Sequence, residues 1–381
     1  MALRRSFLLF VVFAFIFGAA PALHAQQTRP TPTPTPEESS REDQEPIKIF
    51  TEEVRLPIVA FDDYGYFDPT LELQDVLVIE DGVQQQVRSI RHIPASVLLV
   101  LDVDSQITIG KRTETTRAIA NRLIAHLKKG DEIALLQFGT GVQVLQSWTT
   151  DTEPIPRILK TKLYSGKRGR ISEALVAASA MLKDKTAGSR HVVLITDGIE
   201  TPGGKVAYAD AVKQLIAAQA TVHVISYTGL VRDAIAERYN KSIFSGGDGK
   251  QGNQTVGAMD PTMADGSINR TPSFKILTID TDRAMRRWYK KYAEGTKANE
   301  QRLVQLAEET GGQLLLPETA DDMLKKADEV AGDIGAQYVL TYTPKRPLAS
   351  AKPGEYRRIE IAPRKTGVRL RTRRGYIAKT Q

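Results

Sequence analysis

The chain has no cysteine among its 381 residues and only five histidines. The absence of cysteine excludes disulfides, thiolate metal sites, cysteine nucleophiles and a lipid-modified cysteine near the N-terminus. No two histidines have a metal-ligand spacing such as HxxxH, which argues against zinc chemistry. The sequence also lacks a GxSxG elbow and a P-loop pattern, so no residue set predicts an enzyme.

The positive charge is unevenly distributed along the chain. The formal net charge is +7, but residues 345–381 alone hold twelve Lys or Arg against two acids. The rest of the chain is therefore slightly acidic, with a net charge of −3. A basic segment of this kind can attract anionic polymers, lipids or acidic proteins, and the distribution gives no reason to expect nucleic-acid binding.

Only one apolar run approaches the length of a membrane span. It covers residues 7–23, follows Arg4 and Arg5, and leads into alanine-rich sequence. This pattern predicts a signal peptide over residues 1–25, with an uncleaved membrane anchor as the alternative. A proline-rich and acidic linker follows over residues 26–46. We therefore expect an exported protein that is periplasmic, attached to the cell envelope or secreted.

The remaining sequence predicts a doubly wound α/β domain between two small β segments. Residues 47–93 read as a β unit with a hairpin at Asp81-Gly82. From residue 94 to residue 336, buried apolar strands alternate with amphipathic helices, which predicts a mostly parallel sheet flanked by helices. Residues 337–381 read as a basic β segment.

A long insertion, residues 229–295, interrupts this alternation. Its glycine-rich first part predicts a mobile loop. Its last part, residues 282–292, has the spacing of a basic amphipathic helix around Trp288. Such a helix binds a partner or an anionic membrane, or it packs against its own domain.

Carboxylates follow two of the predicted strands. Asp102 and Asp104 come after the first apolar strand, and Asp197 comes after the strand 191–196. In open α/β sheets, ligands bind beyond the carboxyl ends of the strands. The carboxylates therefore predict an oxygen-rich site that suits a hard cation such as Mg²⁺.

At these segments the chain resembles the von Willebrand factor type A domain family. The resemblance rests on LLVLDVDSQ, DEIALLQFG and VVLITDG. It extends to a subgroup of exported bacterial relatives, of an acidobacterial type, through the flanking segments VIEDGVQQQV, QYVLTYTP, YRRIEI and VRLRTRRGY.

The resemblance implies a metal-ion-dependent adhesion site. Asp102 and Asp197 match its two aspartates, while Asp104 and Gln106 occupy its two serine positions and Arg170 its threonine position. Two outcomes stay open: an altered site that holds Mg²⁺ or Mn²⁺, or a metal-free site whose carboxylates are neutralised by Arg170.

The C-terminal strand alternates apolar residues with arginines. Period-two alternation predicts that Arg369, Arg371 and Arg373 share one exposed face. The face is a candidate for an anionic envelope polymer, a lipid surface or an acidic partner, and equally a charged edge that prevents aggregation. The residues proposed for partner binding are Ser105, Arg170, Trp288, Arg369, Arg371 and Arg373.

These patterns together predict a non-enzymatic, exported protein-binding or adhesion-type module of a bacterial envelope. Its strand-end loops would contact a protein partner through a degenerate adhesion site. The alternatives are an adhesin that depends on Mg²⁺ or Mn²⁺, and a structural scaffold anchored by its basic C-terminal segment.

Overall fold

The computed structural model describes residues 52–103, 113–166, 168–230, 232 and 283–378, with side chains in the last range described from residue 294. The expected signal peptide and linker, most of the insertion, and Asp104, Ser105 and Gln106 lie outside the described residues. They therefore stay predictions.

The α/β domain is built on a six-stranded sheet with the order β10-β9-β8-β5-β6-β7. All neighbouring strands are parallel except β7, which runs antiparallel to β6 at one edge. The strands are β5 (Ser96–Asp102), β6 (Glu132–Phe138), β7 (Val142–Thr149), β8 (Arg190–Thr196), β9 (Thr221–Ser226) and β10 (Leu314–Leu315). The predicted doubly wound fold is confirmed, because chain order reverses between β5 and β8.

Helices cover both faces of this sheet. On one face, α1 (Thr113–Ala125), α2 (Ile155–Lys162) and α6 (Ala320–Ala336) bury their apolar sides. On the other face, α3 (Ile171–Met181), α4 (Tyr208–Ala217) and α5 (Arg283–Thr310) do the same. The central strand β5 is buried along its whole length, as expected of a strand between two helical layers.

The two predicted β segments form one structure rather than two. Strands from before and after the α/β domain pair with each other in two four-stranded sheets, β13-β1-β11-β4 and β14-β12-β2-β3, which share one core. We call these eight strands the β body. They are β1 (Val54–Asp62), β2 (Val76–Glu80), β3 (Val83–Gln85), β4 (Val87–Arg91), β11 (Tyr338–Tyr342), β12 (Tyr356–Pro363), β13 (Val368–Thr372) and β14 (Gly375–Ile377).

The hairpin predicted at Asp81-Gly82 joins β2 to β3. Both residues have positive φ, 47° for Asp81 and 80° for Gly82, as a two-residue type I′ turn requires. Local turn chemistry therefore identified this connection correctly.

Helix α5 differs from its prediction in length. The sequence predicts two helical segments, one ending near residue 292 inside the insertion and one around Leu303. The structure joins them into a single 28-residue helix. Among the described residues, no helix combines the length and the apolar character needed to cross a membrane.

Candidate functional site

Four loops meet beyond the carboxyl ends of the central strands. The backbone N–H of Val103 donates to the carbonyl oxygen of Phe138 at 3.0 Å, and the N–H of Gly166 donates to the carbonyl oxygen of Val103 at 2.7 Å. A side chain at Gly166 would place its Cβ 2.8 Å from the Cα of Gly139. The loops after β5 and β6 therefore pack directly on the loop that leads into α3.

Asp102 is buried at the end of β5 and is held by the neighbouring strand. The hydroxyl of Thr196 donates to Oδ2 of Asp102 at 2.7 Å. The same hydroxyl oxygen accepts the N–H of Gly198 at 3.0 Å. One threonine thus fixes both the first carboxylate and the turn after β8. Sequence reasoning did not single out Thr196, although its place directly before Asp197 was a usable signal.

The loop after β8 is also tied to the start of α3. Oδ1 of Asp197 accepts the N–H of Ile199 at 3.1 Å. Oε2 of Glu200 accepts both the N–H and the hydroxyl of Ser172, each at 2.8 Å. A carboxylate at a helix N-terminus caps free N–H groups and interacts favourably with the helix dipole. Glu200 therefore holds this loop in place, a role that the sequence did not predict.

Arg170 does not reach Asp102. Its Nη1 donates to the carbonyl oxygen of Thr201 at 3.1 Å, and no ion pair joins it to a described carboxylate. The N–H of Gly169 donates to the hydroxyl of Thr201 at 2.9 Å, and the carbonyl of Gly169 accepts the N–H of Thr201 at 2.9 Å. These bonds direct the guanidinium toward the loop after β8. Neutralisation of Asp102 by Arg170 is thus not supported, while its relation to Asp104 stays a prediction.

Helix α5 borders the site on one side. A Cβ on Gly198 would lie 2.9 Å from Cδ1 of Leu303 and 3.3 Å from Cβ of Asn299. Glu300 of the same helix forms an ion pair with Arg232. Trp288 lies on the N-terminal part of α5, but its side chain is outside the described part.

The predicted basic face of β13 is only partly exposed. Arg369 is exposed, whereas Arg371 donates to Oδ2 of Asp333 at 2.5 Å and Arg373 is buried. The period of the alternation is right. The expectation of a solvent-exposed arginine face is wrong, because Asp333 of α6 contacts Arg371 and the C-terminal end of α5 packs on the backbone of Arg373.

The predicted metal site consists of four residues, of which the structure describes two. Asp102 and Asp197 lie at the ends of the adjacent strands β5 and β8 and suit a hard cation in their chemistry. The other predicted donors, Asp104 and Gln106, are outside the described ranges. Within those ranges, no group of three or more His, Asp or Glu side chains could hold a metal ion.

The fold and the site together define a doubly wound α/β domain with loops converging at the point where strand order reverses. Residues 97–200 match the family model described as the von Willebrand factor type A domain. Domains of this type are generally non-catalytic modules for protein interaction.

Solved structures show similarity at low sequence identity. BatB from Bacteroides thetaiotaomicron is 13% identical over 63% of this chain and 98% of its own, with a TM-score of 0.36. An aerotolerance-related membrane protein from Bacteroides fragilis is 14% identical over 62% and 98%, with a TM-score of 0.34. A von Willebrand factor type A protein from Catenulispora acidiphila is 8% identical over 87% and 75%, with a TM-score of 0.42. Likenesses at this level carry no information about function. None of the curated proteins matches the sequence.

Proposed function

We propose that this protein is an exported, non-enzymatic binding module of a bacterial cell envelope, and that it contacts a protein partner through the loops at the carboxyl ends of its central strands. The observation that carries the proposal is the convergence of four loops at the position where open α/β sheets bind ligands. The family match over residues 97–200 supports the same class of function.

The surface proposed for contact consists of exposed side chains around the buried carboxylates. Tyr164 is 59% exposed in the loop before α3, and its hydroxyl donates to Oε1 of Gln143 at 3.0 Å. Ser165 and Lys205 are exposed on the loops beside it. An exposed, positioned tyrosine is a residue type that is enriched at the centres of protein interfaces.

Site-specific photocrosslinking in cells tests this assignment. A photoreactive amino acid at position 164 should give a discrete adduct with an envelope protein, and Lys205→Glu should weaken it. The matched controls are the same amino acid at Tyr66, which is exposed in the connection between β1 and β2, and Lys129→Glu at the opposite end of the six-stranded sheet. An adduct from position 66 alone, or none from position 164, would contradict the proposal.

The alternative with a supporting observation is a module that depends on Mg²⁺ or Mn²⁺. Asp102 and Asp197 lie at adjacent strand ends, and Arg170 points toward Thr201 instead of Asp102. If these aspartates hold an ion, millimolar Mg²⁺ or Mn²⁺ should raise the melting temperature above its value in EDTA. At about a hundred times the dissociation constant, the gain is about 2.7 kcal/mol. Asp102→Asn should abolish that gain, and an unchanged melting temperature would exclude the alternative.

A further inference from the structure

Arg373 is a buried cation between the α/β domain and the β body. It follows β13 directly and is 2% exposed. The C-terminal end of α5 packs on its backbone, since a Cβ on Gly311 would lie 2.5 Å from the N atom of Arg373. Its guanidinium carbon lies 5.9 Å from the centre of the Tyr376 ring.

The guanidinium of Arg373 has few acceptors for its N–H groups. Nη2 donates to the carbonyl oxygen of Arg55 at 2.5 Å. Nε and Nη1 are buried and have no hydrogen-bond partner. No carboxylate of the described residues lies within ion-pair distance of this side chain.

A second buried arginine of the β body shows the contrast. Arg357 has no exposed surface, but its Nη1 and Nε contact Glu80 and Glu355, each at 3.1 Å. Two backbone carbonyls accept its remaining bonds, from Arg346 at 2.6 Å and from Pro347 at 2.9 Å. The β body therefore supplies carboxylates for Arg357 and none for Arg373.

The charge of Arg373 persists at neutral pH. Burial lowers its pKa to about 10, the buried phenols of Tyr342 and Tyr376 oppose that shift, and the positive charge of Arg190 adds to it. At this pKa the side chain is protonated under physiological conditions. A buried charge without a counter-charge is costly, and an unsatisfied buried donor indicates a water molecule or an ion that completes the site.

We propose that a small inorganic anion, of the size and charge of chloride, binds Arg373 at the junction of the α/β domain and the β body. Water would satisfy the free N–H groups but would leave the positive charge without a counter-charge. A monovalent anion accepts hydrogen bonds from the free N–H groups and also supplies the counter-charge. A single guanidinium balances the charge of that anion. Occupancy would then stabilise the junction of the two parts.

Anion-dependent thermal unfolding of the full chain tests the proposal. Melting is followed in sodium chloride and in sodium gluconate at the same ionic strength, about 0.15 M, so that both salts screen the protein's charges equally. We expect the melting temperature to be higher in chloride by about 2 °C. Arg373→Met should remove this difference, and Arg369→Met, which alters an exposed arginine of β13, should retain it.

Crystals of the full chain grown with sodium bromide give a second measurement that does not require a variant to fold. Anomalous scattering should show a bromide within hydrogen-bond distance of Nη1 of Arg373. The proposal is overturned if the melting temperatures in chloride and gluconate agree. It is also overturned if Arg373→Met keeps the difference, or if the position beside Arg373 holds water with no anomalous signal.

Discussion

Thr196 links the two strand-end loops through a single hydroxyl group. It donates to Asp102 and accepts from the backbone of Gly198, so both of its hydrogen-bonding roles are used. Because the residue is fully buried, water cannot replace either bond. The orientation of the first carboxylate thus depends on a side chain of the neighbouring strand.

Thr196→Val should therefore destabilise the protein. The change keeps the shape of the side chain but leaves the buried carboxylate of Asp102 and the N–H of Gly198 each without this partner. We expect a loss of about 2–3 kcal/mol in the free energy of unfolding, measured in urea.

Thr341 provides the matched control. It is also buried in a strand, but its hydroxyl oxygen has no hydrogen-bond partner. Thr341→Val should thus be neutral or slightly stabilising. Equal losses for the two variants would show that the bonds of Thr196 do not determine its contribution.

The arginines of β13 show what sequence can and cannot predict at the residue scale. The alternation identified which residues share a face, because side chains of a strand alternate strictly. It could not show that Asp333, from a helix 38 residues earlier, would lie against Arg371. The partial burial of Arg371 and the full burial of Arg373 depend on such long-range packing, which a local period does not contain. Similarly, the motif located Asp102 and Asp197 but not the hydrogen bonds that hold them.

Among the elements, the contact between the loops after β6 and before α3 determines the shape of the site. Gly139 and Gly166 approach so closely that neither has room for a side chain. Tyr164 and Ser165, which we place on the contact surface, immediately precede this point. The position of that surface thus depends on two glycines.

Gly166→Ala should displace the loop before α3. The added methyl group would lie 2.8 Å from the Cα of Gly139 and 3.0 Å from the N atom of Thr140, so the backbone must move. We expect a stability loss of about 1–3 kcal/mol, measured in urea, together with loss of the crosslink from position 164.

Gly141→Ala is the control for that experiment. It lies in the same group of loops, but a Cβ there would meet no atom within 4 Å. Its stability and its crosslink should be nearly unchanged. If both variants behave alike, the close approach of Gly139 and Gly166 is not what positions the loop.

The long elements were predictable because their patterns are local. Four central strands and the helices between them follow directly from apolar runs and helical spacing. The short apolar run at residues 313–316 also predicts a strand, and the structure has the edge strand β10 at Leu314–Leu315. The continuity of α5 through residue 295 was missed because the glycine-rich sequence before it suggested an irregular segment.

In the whole molecule, two buried histidines lie where the α/β domain meets the β body. The rings of His191 and His223 stack with centres 6.1 Å apart. Nε2 of His191 lies 3.1 Å from Nε2 of Gln337, and Nδ1 of His223 lies 3.9 Å from Oδ2 of Asp333. Arg371 contacts the same oxygen of Asp333, which leaves that carboxylate engaged with a permanent cation.

Stability should fall as the solution becomes acidic. Burial lowers the pKa of His191 to about 3 from an ordinary 6.5. Burial, His191 and Arg371 all lower the pKa of His223. The neutral rings contribute fully above pH 6.5, because neither folded nor unfolded histidine is then protonated. Below that pH the unfolded chain takes up protons that the folded chain does not. The free energy of unfolding then decreases by about 1.4 kcal/mol per pH unit for each histidine.

Urea unfolding between pH 7 and about pH 4.5 measures this slope. His223→Gln should reduce the slope by the contribution of one histidine, about 1.4 kcal/mol per pH unit. An unchanged slope in His223→Gln would mean that His223 is protonated in the folded state, contrary to its burial.

The β body is closed by strands from both sides of the α/β domain, and this has a mechanical consequence. β1, the first described strand, pairs with both β11 and β13, and β14, the last described strand, pairs with β12. Tension applied between residue 52 and residue 378 would first load the hydrogen bonds between these paired strands. The α/β domain, inserted between β4 and β11, would carry no load until the β body opened. If one end is held at an envelope and a partner pulls on the strand-end loops, the force instead runs through the α/β domain to β4 and β11, which pair with each other in the β body. The β body would then determine how much force the molecule withstands before it unfolds.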